Sequence, residues 1–315
     1  MISIVIPLYN EEENVNNLYN RLTNASELWK EDYEIIFVDD GSFDNTLFLL
    51  QKIHANDIHI NVIKLSRNFG HQAAISAGIK YAKGDAVIIM DGDLQDPPEE
   101  LPRFLDKWKE GYHVVYAIRK KRKENLFKRL SYKIFYRLLR LISEINIPLD
   151  SGDFCVMDKK VVSVLNNAMV EQSRFVRGLR AYAGFKQIGV EYERAERAAG
   201  EVKYTFRKLV KLAVNGLLDF STFPLRIAIY LGFLITILSF IIGFFFIIHR
   251  IFNFKFLGYS PSDTPGIASL AVGVFFLGGI ILIMLGLIGE YIGRIYFEVK
   301  KRPFYIIDEI YTYEK

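Results

Sequence analysis

The sequence predicts an α/β domain built on an open, mostly parallel sheet, with two transmembrane helices after it. Three observations carry this prediction. Short apolar runs alternate with helix-like segments over residues 1–120, a polar cluster follows each of four runs, and two long uncharged stretches lie in the last third of the chain. Such alternation is typical of parallel strands that are covered by helices on both faces.

Five short apolar runs are predicted to be strands. They cover residues 2–8, 34–38, 60–65, 86–90 and 113–118. The first run lacks a basic start and is too short for a signal peptide, so we interpret it as a strand as well. The segments between the runs carry helical periodicity or entry signals such as Asp96-Pro97-Pro98, and they predict helices over 12–29, 44–55, 71–82 and 98–110.

The C-terminal third accounts for the high apolar content of the chain, which is 51% hydrophobic with a mean hydropathy of +0.15. One uncharged stretch lies between Arg226 and Arg250, and another between Asp263 and Glu290. Each is longer than the roughly 20 residues that span a bilayer. Lys and Arg are dense before the first stretch and after the second, which predicts that the α/β domain and both termini face the cytosol.

These patterns divide the chain into four predicted parts. They are the α/β domain at 1–203, a juxtamembrane amphipathic segment at 204–225, two membrane helices with a short external loop at 226–293, and a cytosolic tail at 294–315. The chain is thus expected to be an integral protein of the cytoplasmic membrane.

Composition limits the kinds of site and partner. Cys155 is the single cysteine, so an intrachain disulfide and a cysteine-based metal site are excluded. The net charge is only +4, but Lys and Arg cluster at 119–140, 203–211 and 294–302. Such clusters serve phosphates and anionic lipid headgroups, or are solvated helix faces. We expect a membrane and no nucleic acid as partner, and small residues such as Gly278 would allow helix packing in a homo-oligomer.

Polar side chains follow four of the predicted strands. These clusters are Asn10-Glu11, Asp39-Asp40, Arg67-Asn68 and Asp91-Gly92-Asp93. In open α/β sheets, ligands bind beyond the carboxyl ends of the strands. The four clusters therefore predict one shared site at that edge.

The cluster Asp91-Gly92-Asp93 predicts a cation site, because Gly92 lets the chain turn so that both carboxylates can approach one ion. Mg²⁺ and Mn²⁺ prefer oxygen ligands and keep positions open for phosphate oxygens, and Gln95 could add an amide oxygen. Asp39 could accept a hydrogen bond from a base or ribose, with a turn or helix cap as the alternative. For Glu11, the alternative is capping of the helix over 12–29.

The motifs at these positions resemble those of the family-2 glycosyltransferases, which have the Rossmann-like GT-A fold. The sequence is more narrowly similar to the polyprenyl-phosphate glycosyltransferases, of the dolichol-phosphate mannose synthase and bactoprenol glucosyltransferase type. The matching stretches are Pro7-Leu8-Tyr9-Asn10-Glu11, Val38-Asp39-Asp40-Gly41-Ser42, Arg67-Asn68-Phe69-Gly70, Asp91-Gly92-Asp93-Leu94-Gln95-Asp96-Pro97-Pro98-Glu99, Ser151-Gly152-Asp153-Phe154, Arg174-Phe175-Val176-Arg177-Gly178, Gly200-Glu201-Val202-Lys203-Tyr204 and Ile288-Gly289-Glu290-Tyr291-Ile292-Gly293-Arg294.

The resemblance implies an inverting transfer of a sugar from a nucleotide-sugar to polyprenyl (undecaprenyl) phosphate, with UDP-glucose as the favoured donor. It implies catalytic roles for Asp153, near the acceptor, and for Asp93. The other implied contacts are Pro7, Tyr9, Glu11 and Asp39 for the nucleoside, Asp91, Asp93 and Gln95 for Mg²⁺ or Mn²⁺ and the diphosphate, Arg119 for donor phosphates, and Arg177, Arg197 and Lys203 for the lipid phosphate. Cys155-Val156 and Val202 depart from the pattern of many relatives, which have Arg-Leu and Ser there.

Several alternatives stay open at this point. Other donors that such relatives use are GDP-mannose, UDP-N-acetylglucosamine and UDP-aminoarabinose. A polysaccharide synthase of the same fold would normally have more membrane spans and a Gln-x-x-Arg-Trp type motif. A dinucleotide-dependent oxidoreductase would have Gly-x-Gly-x-x-Gly where this chain has Pro-Leu-Tyr-Asn-Glu-Glu. A non-enzymatic scaffold or transporter subunit is the remaining class.

Overall fold

The computed structural model describes residues 1–119, 151–171, 174–193, 223–252 and 267–313. The chain divides into two units. The first comprises Met1–Gly216 together with Lys301–Lys315, and the second is Leu217–Lys300.

The first unit is built on an eight-stranded sheet. Its strands follow one another in space as β7-β5-β6-β4-β1-β2-β3-β8. Four of its pairings are parallel and three are antiparallel. The strands are β1 (Ile2–Leu8), β2 (Tyr33–Asp39), β3 (Ile60–Leu65), β4 (Ala86–Ile89), β5 (Val114–Arg119), β6 (Ser151–Asp158), β7 (Gln187–Tyr192) and β8 (Ile307–Tyr311). The predicted α/β class with a mostly parallel sheet is confirmed.

The first four helices of the first unit fall where the sequence predicted them, whereas its last two helices were not predicted. In the first unit they are α1 (Glu12–Trp29), α2 (Thr46–His54), α3 (His71–Tyr81), α4 (Leu101–Lys109), α5 (Lys159–Asn167) and α6 (Val176–Tyr182), with a 3₁₀ turn at Pro98–Glu100 before α4. Of the predicted juxtamembrane amphipathic segment at 204–225, residues 204–222 lie outside the described residues.

The central strand β1 is buried along its whole length. Helix α3 packs against it closely, because a Cβ on Gly78 would lie only 2.2 Å from Val5 Cγ1. This close approach fixes the distance between the α3 backbone and the sheet. Its first residues, His71 and Gln72, are thereby held at the carboxyl edge of the strands.

Strand β6 is one of several elements that the sequence did not predict. It inserts between β4 and β5 and runs antiparallel to both. Its register pairs Ala86 with Asp158 and Ile89 with Cys155. Extending that register by two residues sets Asp153 opposite Asp91, so the antiparallel strand delivers its carboxylate to the edge where the parallel strands end.

The segment predicted as a separate tail, 294–315, is divided in the structure. Helical residues continue to Lys300, and Ile307–Tyr311 form β8, which pairs antiparallel with β3 at the edge of the sheet. The Ser66 amide donates to the Ile306 carbonyl (2.9 Å), and Lys64 Nζ lies 2.6 Å from Asp308 Oδ2. Residues 307–311 therefore belong to the α/β domain, because the free edge of β3 offers backbone partners that the local sequence did not reveal.

The second unit contains two long helices, α7 (Phe223–Phe252) and α8 (Ile267–Lys300). Large apolar side chains on both are exposed, for example Phe240 at 80% and Leu282 at 70%. Within the helical residues that can be described, Phe276–Lys300 is long and apolar enough to cross a bilayer, and Ala228–Ile242 is a shorter apolar stretch. Two membrane spans stay a prediction.

Candidate active site

The loops after β1 and β2 hold each other in place. The backbone N–H of Asn10 donates to Ser42 Oγ (3.0 Å), and the backbone N–H of Phe43 donates to the side-chain oxygen of Asn10, Oδ1 (2.9 Å). Asn10 adopts a left-handed backbone conformation (φ 51°), which its short polar side chain tolerates. The two predicted nucleoside-binding loops are thus one rigid unit.

The two acids at the end of β2 have different roles. Asp40 accepts from the Phe69 and Gly70 amides (2.7 and 2.9 Å), which ties β2 to the loop before α3. Asp39 is 1% exposed, and its Oδ2 accepts from the Ser42 amide (3.3 Å). Asp39 Oδ1 is buried and has no hydrogen-bond partner among the residues described here. Burial raises the pKa of Asp39, and the hydrogen bonds from Ser42 only partly offset this effect.

The turn after β4 is held from outside by Arg21. Its guanidinium donates to the Leu94 carbonyl (3.2 Å) and forms a bidentate pair with Glu99 (2.8 and 3.0 Å). Leu94 has a positive φ of 59°, and the backbone N–H of Gln95 donates to Asp93 Oδ1 (3.2 Å). The turn therefore presents Asp91 and Asp93 in a fixed conformation.

His71 lies between two carboxylates that are distant in the sequence. Its Nε2 is 3.5 Å from Asp91 Oδ1 and 3.6 Å from Asp153 Oδ2. Burial lowers the pKa of His71, but the hydrogen bond to Asp153 and the two negative charges outweigh burial and raise it to about 9. His71 is therefore a cation at neutral pH.

The same cluster shifts the two carboxylates in opposite directions. Burial raises the pKa of Asp91 to about 6, helped by the charges of Asp96, Asp153 and Asp93 and opposed by His71. Burial would also raise the pKa of Asp153, but Arg177 above all, with His71 and Arg180, holds that pKa well below its usual range. Asp91 thus has His71 as its opposing positive charge, whereas Asp153 is compensated by Arg177, His71 and Arg180.

Two arginines of α6 surround Asp153. Arg177 Nη2 lies 3.3 Å from Asp153 Oδ1. Arg180 is 1% exposed, donates to the Gly152 carbonyl (3.2 Å) and lies over the Tyr116 ring at 5.6 Å. A buried guanidinium needs a nearby anion, and Asp153 supplies that charge.

The residues fit a divalent cation at Asp91 and Asp93. Asp91 Oδ1 is buried without a hydrogen-bond partner in the described part of the chain, and burial together with the neighbouring acids raises the pKa of Asp91. No group of three or more His, Cys, Asp and Glu within the described ranges is arranged to hold a metal. Mg²⁺ does not require one, because it is commonly held by one or two carboxylates with waters and substrate phosphates.

The other predicted site residues divide into three groups. Pro7, Tyr9 and Glu11 lie at the end of β1 and in the loop after it, and Tyr9 meets Phe43 edge to face at 6.1 Å. Arg119 is the last residue of β5. Arg197 and Lys203 lie outside the described residues. Glu11 is the N-cap residue of α1, but its side chain makes no capping hydrogen bond to the helix backbone and instead accepts from Asn14 Nδ2 (2.7 Å).

Sequence reasoning missed three residues of this site. His71, Gln72 and Arg180 all surround Asp153. His71 directly follows the stretch Arg67-Asn68-Phe69-Gly70, and a histidine at the first helical position after a strand end was the available signal. Arg180 carried no such signal, because its partner is reached only through the pairing of β6.

Comparison with known proteins gives consistent matches. The model of Glycosyl transferase family 2 matches residues 3–165. The uncharacterized glycosyltransferase YkcC of Bacillus subtilis is 46% identical over 99% of this chain and 94% of that protein. The prophage bactoprenol glucosyl transferase homolog of Escherichia coli is 40% identical over 98% of this chain and 99% of that protein.

Solved structures give more distant matches. A mannosyltransferase from Pyrobaculum calidifontis, in complex with GDP-Man and Mn²⁺, is 17% identical, with a TM-score of 0.43 over 60% of this chain and 54% of that one. The Staphylococcus aureus TarS 1–349 in complex with UDP-GlcNAc is also 17% identical, with a TM-score of 0.42 over 70% of this chain and 67% of that one.

Proposed function

Because the chain belongs to glycosyl transferase family 2, we propose that this glycosyltransferase moves a hexose from a nucleotide-sugar to the phosphate of a polyprenyl lipid. The observation that carries the proposal is the group formed by Asp91, His71 and Asp153. His71 lies between the two carboxylates. Asp91 has less positive charge beside it than Asp153, which is also paired with Arg177. The first suits a donor diphosphate with its cation, and the second suits an anionic acceptor.

The donor side would be the edge formed by β1, β2 and β4. Asp39, with one buried oxygen lacking a donor, is suited to accept from a base or ribose. Asp91, Asp93 and Gln95 would hold Mg²⁺ or Mn²⁺, which would offset the charge that develops on the leaving diphosphate. We propose UDP-glucose as donor, since relatives at 40% identity are named bactoprenol glucosyl transferases.

The acceptor side would be formed by Asp153 and Arg177. An acceptor phosphate oxygen forms a bond to the anomeric carbon, while the bond from that carbon to the nucleoside diphosphate breaks and its electron pair leaves with the diphosphate. The two events on opposite faces of the sugar would invert the anomeric centre. A phosphate monoester has a second pKa of about 6, so the nucleophile needs little help from a base. Asp153, whose pKa is depressed, would orient Arg177 and the acceptor.

A lipid acceptor also explains the long apolar helices. Phe276–Lys300 is long enough to span a bilayer. Anchoring would confine the enzyme and a polyprenyl phosphate to one plane. We propose that α7 and α8 both span the membrane, with the α/β domain and both termini in the cytosol, where nucleotide-sugars are available.

The test is transfer of label into the lipid phase. Purified full-length protein in bilayer nanodiscs with undecaprenyl phosphate would be given radiolabelled UDP-glucose, GDP-mannose, UDP-N-acetylglucosamine or UDP-aminoarabinose, each with Mg²⁺, with Mn²⁺ or with EDTA. We expect organic-phase label from UDP-glucose that EDTA abolishes. Label from a different sugar would correct the donor, and no transfer from any donor would overturn the proposal.

A further inference from the structure

Gln72 connects two parts of the site through the two ends of one amide. It is the second residue of α3, directly after His71. Its Oε1 accepts from the Val176 amide at 2.9 Å, and its Nε2 faces Asp153 Oδ2 at 3.5 Å. One side chain therefore meets the start of α6 and the carboxylate on β6.

The chemistry on either side fixes the orientation of this amide. Val176 is the first residue of α6, and its N–H has no acceptor within that helix, so an oxygen must face it. Asp153 is ionised and offers only acceptors, so a donor must face it. At neutral pH, where an exposed acid is ionised, only glutamine and asparagine of the acid and amide side chains can do both, and asparagine is one methylene shorter.

This contact determines where the arginine of the acceptor side lies. Val176 is followed by Arg177, whose Nη2 is 3.3 Å from Asp153 Oδ1. Gln72 therefore holds the start of α6 and the carboxylate of Asp153 at a set spacing. It does so from the helix whose first residue also contacts Asp91.

We infer that Gln72 is a positioning residue that sets Asp153 and Arg177 for the acceptor phosphate, an inference that rests on the proposed acceptor. It touches neither reacting group itself. Its loss should therefore change the use of the acceptor much more than the use of the donor.

The kinetic test compares Gln72→Glu and Gln72→Met with Asn167→Asp, an exposed amide-to-acid change on α5. We expect the acceptor kcat/KM to fall by about 10²-fold in both Gln72 variants, as for a small misplacement of reacting groups. The donor KM should stay within about twofold, and Asn167→Asp should match wild type. An unchanged acceptor kcat/KM in both variants would overturn the inference.

The pH profile separates positioning from mere stability. The carboxyl introduced by Q72E repels Asp153 when ionised, but when protonated it donates a hydrogen bond as glutamine does. The activity of Q72E relative to wild type should therefore increase as the pH is lowered from 8 to 5.5, whereas the relative activity of Q72M should not. Parallel profiles for the two variants would contradict the proposed contact.

A melting-temperature cycle tests the contact without any acceptor, so it stands even if the lipid assay shows no transfer. The cycle compares wild type, Q72M, Asp153→Asn and the double variant in the full-length protein. We expect the melting temperature of the double variant to fall by less than the sum of the decreases in the two single variants. Additive changes would overturn the inference independently of the proposed function.

Discussion

At the scale of single residues, the ionisation of Asp91 lowers the stability of the metal-free protein. The Asp91 pKa of about 6 lies above the value of about 3.9 for an unfolded aspartate. The folded protein thus holds that proton more tightly than the unfolded chain does. The resulting stability is present below pH 4 and is lost as the pH rises through about 6, so ionised Asp91 destabilises the metal-free protein at neutral pH.

Asp91→Asn should therefore raise the melting temperature in EDTA at pH 7.5, and this gain should shrink as the pH falls below about 6. Mg²⁺ should raise the melting temperature of wild type but not of the variant, since only a bound ligand stabilises the folded state. Differential scanning fluorimetry measures both effects, and Asp106→Asn, an exposed control on α4, should show neither. A variant that melts below wild type in EDTA would contradict this account.

Asp153 should act through its charge and not as a proton acceptor. Its pKa lies well below the usual range, so it is ionised throughout pH 5.5–8. Asp153→Asn removes the partner of Arg177, and transfer should fall by a factor of about 10² or more at every pH in that range. Recovery of the variant at pH 8, with loss confined to pH 5.5, would instead indicate a proton role.

At the scale of elements, β8 protects the edge of the sheet. It pairs with β3, whose carboxyl end leads through Ser66 to the loop held by Asp40. An uncovered strand edge is a template for pairing with another chain. We therefore expect the strand that follows α8 to stabilise the α/β domain and to block pairing with another chain at this edge.

Ending the chain after Arg302 should lower the melting temperature and increase self-association, because β3 loses its neighbour. Size-exclusion chromatography with light scattering, alongside a melting curve, measures both changes. Lys64→Ala keeps the strand and removes only its ion pairs with Asp308 and Glu309, so it should cost no more than about 1 kcal/mol. Equal effects of the truncation and Lys64→Ala would show that pairing of β8 contributes little.

At the scale of the whole molecule, the proposed topology can be tested against a low background. Cys155 is the single cysteine and is fully buried, and burial raises its thiol pKa, so it should react slowly. Cysteines introduced by Gly258→Cys, in the predicted external loop, and by Lys301→Cys, after α8, would report the two sides. A membrane-impermeant maleimide should label only the first in intact cells and both after permeabilisation. Labelling of Lys301→Cys in intact cells would refute the topology.

The sequence by itself determined the strands and helices of residues 1–119 and the edge of the sheet at which the candidate site lies. The strand at 60–65 and the helix at 12–29 were predicted with the bounds that the structure has. Asp39 and Asp91 were predicted as residues of one edge for the same reason. Apolar periodicity and turn residues act over a few positions, so a local pattern is enough to read them.

Only the tertiary structure decided which residues complete the site. Asp153 lies opposite Asp91 because β6 inserts antiparallel beside β4, and β8 joins the sheet although it follows two long helices in the sequence. His71 and Gln72 gain their roles from that same pairing. Pairing between distant strands depends on complementary faces and free edges across the whole chain, and a local sequence pattern does not contain that information.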